Sequence, residues 1–234
     1  MANNTTGFFT WLRGDADENF YGCDSPCEEV PCCGCGRTAE GDPDKKKDKP
    51  KAYVNLTDED VKYMEAVRRG DEAVFGPMIK LAFFRAFPNS IVRDEVWRRD
   101  KQRDINKYDI RRKVKSDAGW LGEGVYFYGA KEVAEAAYEY GWNLRPFFIN
   151  IERAYVMDRP THDAIARANA QGVSKAVTEV TNDFDGVFYN GDMNEEWCVR
   201  SPCQMKFAGV SYDDQGRIIP LSYRFKADNP DIRF

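Results

Sequence analysis

The chain has 234 residues, 42% of them hydrophobic and 31% charged, with a net charge of −5. That length allows one substantial domain with a real core plus an appendage. The charge gives no global reason to bind nucleic acid, no apolar run approaches a membrane span, and Met1-Ala2-Asn3-Asn4-Thr5 lacks the basic-then-apolar form of a secretory signal.

Residues 1–51 read as an appendage. Phe8, Phe9, Trp11 and Leu12 form a small apolar knot, and the run Asp44 to Lys51 is a solvated, charged linker by composition. Five of the seven cysteines, Cys23, Cys27, Cys32, Cys33 and Cys35, crowd between these two features. Their thiolate density suits zinc, but the spacing matches no usual finger, so reduced thiols and a zinc site both stay open. Disulfides are disfavoured if the protein works inside a cell.

Thr57-Asp58-Glu59-Asp60 has capping-box form, with an acid three residues after the hydroxyl. A helix is expected to follow through Val61, Met64 and Val67 and to stop at Gly70. A second is expected to start at Pro77 and run to Pro88. Ile91 to Trp97 reads as extended. The basic run from Arg98 to Lys115, with Arg103, Lys107, Arg111, Arg112 and Lys113, reads as a long loop with a helical piece. It is either a solvated face or a set of cations beside a cleft. Leu121 to Tyr128 is a strand bracketed by glycine, and Lys131 to Tyr140 a short helix that Gly141 stops. Arg145 to Ile151 is rich in strand formers. Residues 162–180 look helical with a break near Gly172. Phe184 to Tyr189 turns into a strand, and Trp197–Val199 and Met205–Ala208 are the last core strands. Residues 211–234 read as a polar, mostly irregular tail. Strands and helices mix without regular βαβ alternation, which predicts an α+β fold.

The chemistry concentrates at Asn194-Glu195-Glu196-Trp197-Cys198-Val199. A carboxylate at the mouth of a strand can be held rigidly in a cleft, where it meets developing positive charge. Glu196 is the candidate; alternation turns Glu195 to the opposite face. Cys198 should be buried in the strand. No histidine lies near it in sequence, and the single histidine, His162, reads as a helix-start residue after Pro160-Thr161. Ser-His-Asp or Cys-His chemistry would rest on that one residue.

Three segments resemble the ADP-ribosyltransferase family, including its poly(ADP-ribose) polymerase branch. Gly122-Glu123-Gly124-Val125-Tyr126-Phe127 and the Ala-rich helix ending at Tyr138 are similar to the family's Gly-x-Gly-aliphatic-Tyr-Phe strand and the helix after it. Leu144 to Ile151 resembles the strand that follows. Glu196-Trp197-Cys198-Val199 with Gln204-Met205 resembles the catalytic-glutamate strand. The likeness is closer to transferase domains of phage and mobile-element polyproteins. It extends there to Asp60–Asp71, Asp185-Gly186-Val187, Tyr212–Ser222 and Asn229–Phe234, and so covers roughly residues 57–234.

The resemblance implies split, mixed sheets flanked by helices around an NAD cleft, with a transferase domain over 52–210 and a tail over 211–234. It implies transfer of ADP-ribose from NAD to a protein side chain with release of nicotinamide. Glu196 would stabilise the ribosyl cation by accepting from the ribose 2′-hydroxyl. Tyr126 would stack on nicotinamide, with Tyr138 on the ring's other side and Tyr140 the competing choice. Gly122, Gly124 and Phe127 would line the cofactor. Many relatives place His-Gly-Thr at the end of the first strand, whereas here Val96-Trp97 runs into Arg98-Arg99-Asp100. Another branch uses an arginine there to hold the dinucleotide phosphates, a role that falls to Arg98, or to Arg99 if the register slips by one. The expected partners are NAD and a protein acceptor, without nucleic acid or membrane. A bacterial host cytoplasm or a virion is the expected location. The alternative is a non-catalytic module of the same fold that binds a host or virion partner.

Overall fold

The capping box forms as its spacing predicts. The Thr57 hydroxyl accepts from the Asp60 amide at 3.1 Å, and the Asp60 carboxylate accepts from the Thr57 amide at 2.9 Å. Helix α1, Asp58–Arg69, starts there and stops at Gly70, whose φ of 70° turns the chain so that the Asp71 amide donates back to the Ala66 carbonyl at 2.9 Å. A computed structural model describes residues 53–108, 121, 122, 124–170, 183–191 and 195–234. The aromatic knot, the five clustered cysteines, Arg111 to Lys115 and the expected helix break at Gly172 lie outside the described residues.

Helix α2, Glu72–Ala86, begins five residues before the expected Pro77 and carries that proline inside. Proline there forfeits only the bond to the Ala73 carbonyl, and the helix buries Ile79, Ala82 and Phe83. Strand β1 is Val96–Asp100, so extended structure runs through both arginines instead of starting at Ile91. Strand β2, Val125–Tyr128, is shorter than expected, and helix α3, Lys131–Ala136, gives way to a 3-10 turn at Tyr138–Tyr140. Arg99 explains that early end. Its guanidinium donates to the Ala134 and Glu135 carbonyls, at 2.6 and 2.8 Å, which another helical turn would have used. Strand β3 is Asn143–Ile149, and helix α4, Arg159–Ala170, starts earlier than read. Strand β4, Ala154–Met157, was not anticipated. Strands β5, Gly186–Asn190, β6, Glu195–Val199, and β7, Met205–Phe207, complete the set.

The seven strands form one mixed sheet in the order β4-β5-β6-β2-β1-β3-β7. Among the described strands only β4 and β5 pair in parallel. The fold is α+β, as the element pattern predicts. Strands β1 and β3 share five register pairs, but β1 and β2 share one, Trp97 with Tyr128. The sheet therefore parts beyond that pair.

Alternation distributes the core. Val96, Val125, Phe127, Phe147, Ile149 and Val199 cluster on one face. On the other, α4 packs Ile165 with Leu121, Met157, Val187, Tyr189 and Cys198. Helices α1 and α2 pack Tyr63, Ile79 and Phe83 against Phe148. The segment 211–234 is irregular, as read, but it is no loose tail. Leu221 and Phe225 enter the α1–α2 cluster, and Ile232 enters the first. Among the described residues no helix is long and apolar enough to cross a membrane.

Candidate active site

Strand β2 pairs directly with β6, opposing Tyr126 to Cys198 and Tyr128 to Glu196. On the other side β5 opposes Val187 to Cys198 and Tyr189 to Glu196. Paired residues share a face. Glu196 thus stands between Tyr128 and Tyr189, on the face that carries Tyr126 and Cys198. Helix α3 covers this face near β1, where Lys131 lies over the Trp97 ring at 5.3 Å, and α4 covers it near β5.

Glu196 is half-buried, and burial pushes its carboxyl above the ordinary carboxylate range. Among the described residues no hydrogen bond or ion pair reaches that carboxylate. Glu195 points away, exposed, with its side chain over Gly129. The neighbour across the ladder, Tyr128, has its phenol pushed up, first by burial and then by Tyr140, Glu196 and Glu139. It therefore stays protonated, presenting a neutral ring beside the acid. Sequence reading missed Tyr128. The signal was the spacing Tyr126-x-Tyr128, which puts both rings on one face of a strand.

Tyr126 lies on the expected face, but its hydroxyl is engaged by the turn before the strand. It donates to the Gly122 carbonyl at 2.5 Å and accepts from the Leu121 amide at 3.0 Å. The ring packs against the Leu121–Cys198 cluster. The rings that flank Glu196 along the ladder are accordingly those of Tyr128 and Tyr189. Phe127, expected to line the cofactor, is instead 1% exposed in the opposite core against Phe147, where alternation sends it. Gly124, expected at the ligand, answers to packing: a Cβ there would stand 2.3 Å from the Val199 carbonyl oxygen.

Arg98 is not brought to this face. It alternates with Val96 and lies on the side of Phe147 and Tyr108. Its Nε donates to Asp100 at 2.8 Å and its Nη1 to the Tyr126 carbonyl at 3.0 Å, bridging the place where β1 and β2 part. Tyr108 donates to the other Asp100 oxygen at 2.5 Å, so the buried carboxylate is fully paired. Arg99 does share the Trp97 face, yet three of its N–H groups serve α3 and Gly141. Both guanidiniums hold protein groups where phosphate was expected.

Tyr138, expected as the second nicotinamide wall, is 68% exposed on the 3-10 turn. Its rival Tyr140 is the one that acts on Tyr128. His162 stacks flat on Tyr189, with ring centroids 4.0 Å apart and planes 3° apart, and burial lowers its pKa. Sequence order hid this proximity, since the β5–β6 register is what places Tyr189 beside Glu196. Burial pushes the Cys198 thiol up to about 12, which makes it a packing residue, as read, and a poor nucleophile. Among the described residues no cluster of His, Cys, Asp and Glu is arranged to hold a metal ion.

Compared with family models, curated proteins and solved structures, the chain matches none.

Proposed function

We propose that the protein splits NAD and passes ADP-ribose to an acceptor, with Glu196 as the residue that stabilises the ribosyl cation. The observation that carries this reading is the state of Glu196: half-buried, without a described donor, and flanked by tyrosine on both neighbouring strands. A fold gains nothing in stability from an unpaired carboxylate at such a site. A reaction that develops positive charge on a sugar does gain from it. The carboxylate accepts from the ribose 2′-hydroxyl, and this bond strengthens as the glycosidic bond to nicotinamide lengthens. The leaving group departs as neutral nicotinamide, taking the bonding pair, and the acceptor nucleophile attacks C1′ and gives up its proton to solvent. Tyr128 offers flat aromatic surface to the nicotinamide ring. The motif likeness of the β2 and β6 strands to ADP-ribosyltransferases supports the same reading, and the phage or mobile-element setting is proposed on that likeness alone.

One observation favours a second reading, a binding module of the same fold without turnover. The arginines in line to grip pyrophosphate are occupied by Asp100, by backbone carbonyls and by α3. Nicotinamide release from labelled NAD separates the two. The transferase reading expects release by the wild-type chain and a loss of at least about a hundredfold in Glu196→Gln, with NAD affinity little changed. Absence of release by both proteins, with no NAD-dependent thermal shift, supports the module.

A further inference from the structure

The turn beyond α3 carries the largest exposed aromatic display among the described residues. Trp142 is 83% exposed, Tyr138 68% and Tyr140 46%. Globular chains seldom leave three large rings this open within five residues, and such a patch marks an interaction surface. The same segment is acidic. Glu132 and Glu135, three residues apart on α3 and on the side away from buried Ala134, are exposed, and so is Glu139 on the 3-10 turn that follows. Its one cation, Lys131, is already shared between Glu135 at 3.5 Å and the Trp97 ring.

Rings interleaved with carboxylates select one chemistry. An anionic ligand would meet repulsion here. An apolar helix would have to cover three charges. A guanidinium or ammonium gains twice, over the π-face and beside the carboxylate. The patch also borders the face that carries Glu196, because Arg99, which shares the Trp97 face, donates to the Ala134, Glu135 and Gly141 carbonyls of this segment. We propose that this rim docks a basic, extended segment of the acceptor protein, its cations lying over Tyr138 and Trp142 and between the three carboxylates. The assignment deepens the transferase reading, on which its acceptor role rests, by naming the class of acceptor.

The test uses the full chain without NAD and a short capped Gly-Arg repeat peptide, with its Gly-Gln counterpart as the neutral control, titrated by calorimetry. The proposal expects saturable binding of the arginine peptide only. It expects a loss of about tenfold in Trp142→Ala, and at least that in Glu132→Gln/Glu135→Gln/Glu139→Gln, the combined size of a few weak contacts. The variant Glu65→Gln/Glu72→Gln/Glu152→Gln removes the same charge elsewhere and should bind as wild type. Equal weakening by that control means net charge alone attracts the peptide and overturns the proposal. So does absence of binding, or binding indifferent to the rim variants. Nicotinamide release, followed separately, reports on the transferase reading alone, so either inference can fail without the other.

Discussion

Glu196 sits where its charged form is disfavoured, and this has a measurable cost. Its pKa is raised in the folded chain, so the unfolded chain ionises first as pH rises. The penalty is absent below the ordinary carboxylate range and grows as pH climbs through the raised pKa. Replacing it with glutamine should therefore stabilise the protein at pH 7 while removing nicotinamide release. We expect the melting temperature to rise by about 2–4 °C, the size of a ~1 kcal/mol gain in a domain of this length. That gain should shrink toward zero in acid. A variant no more stable than wild type at neutral pH would mean the carboxylate is well solvated or paired. Cys198 makes a second residue-level statement. A thiol pushed up to about 12 and fully enclosed stays a thiol at neutral pH. Peptide mapping after alkylation of the native protein should find Cys198 unmodified and half-buried Cys203 labelled.

At the scale of elements, the turn into β2 is set by contact with β6. A methyl group at Gly124 would collide with the Val199 carbonyl and the Cys198 sulfur, and φ of 158° already strains any other residue. Gly124→Ala should lower stability by about 2–4 kcal/mol, read from denaturant unfolding. That would separate the strands carrying Tyr128 and Glu196. The strand type of this element is legible in the sequence, but its packing reason is not, because a glycine excluded by a neighbouring strand looks the same in sequence as one cleared for a ligand. The helix starts show the same division. Thr57 and Gly70 act through bonds within one turn, so α1 was legible to the residue. Where α3 ends depends on Arg99, thirty-five residues from the Ala134 carbonyl it takes, and nothing local announces that. Strand β4 has four residues and one described partner, β5, in parallel, too short for alternation to stand out.

For the whole molecule, the informative features are where the sheet parts and what closes it. Asp100 gathers Arg98 and Tyr108 at the parting of β1 and β2. Removing the acid leaves a half-buried guanidinium unpaired, so Asp100→Ala should cost about 3–5 kcal/mol. The faces of the arginines were not legible, because they depend on the β1–β3 register. The nearness of Glu196 to the tyrosine strand was legible in kind, as two neighbouring strands, but the β2–β6 register, which sets Tyr128 opposite Glu196 and Tyr126 opposite Cys198, was not. At the far edge Lys206 is fully enclosed and donates to the Asn229 and Phe234 carbonyls at 2.7 and 2.5 Å. Lys206→Ala should speed amide exchange across residues 229–234 while leaving α1 protected. The segment read as a tail thus joins the core through Leu221, Phe225 and Ile232, and its last six residues are further held by a lysine on β7 that no hydrophobic pattern reveals.

The most direct test of the central claim is a crystal structure of the protein with a non-hydrolysable carbocyclic NAD analogue. The carbocycle's 2′-hydroxyl should lie about 2.6–3.2 Å from the Glu196 carboxylate, with nicotinamide against Tyr128. An analogue bound away from Glu196, or none bound at millimolar concentration, would contradict it.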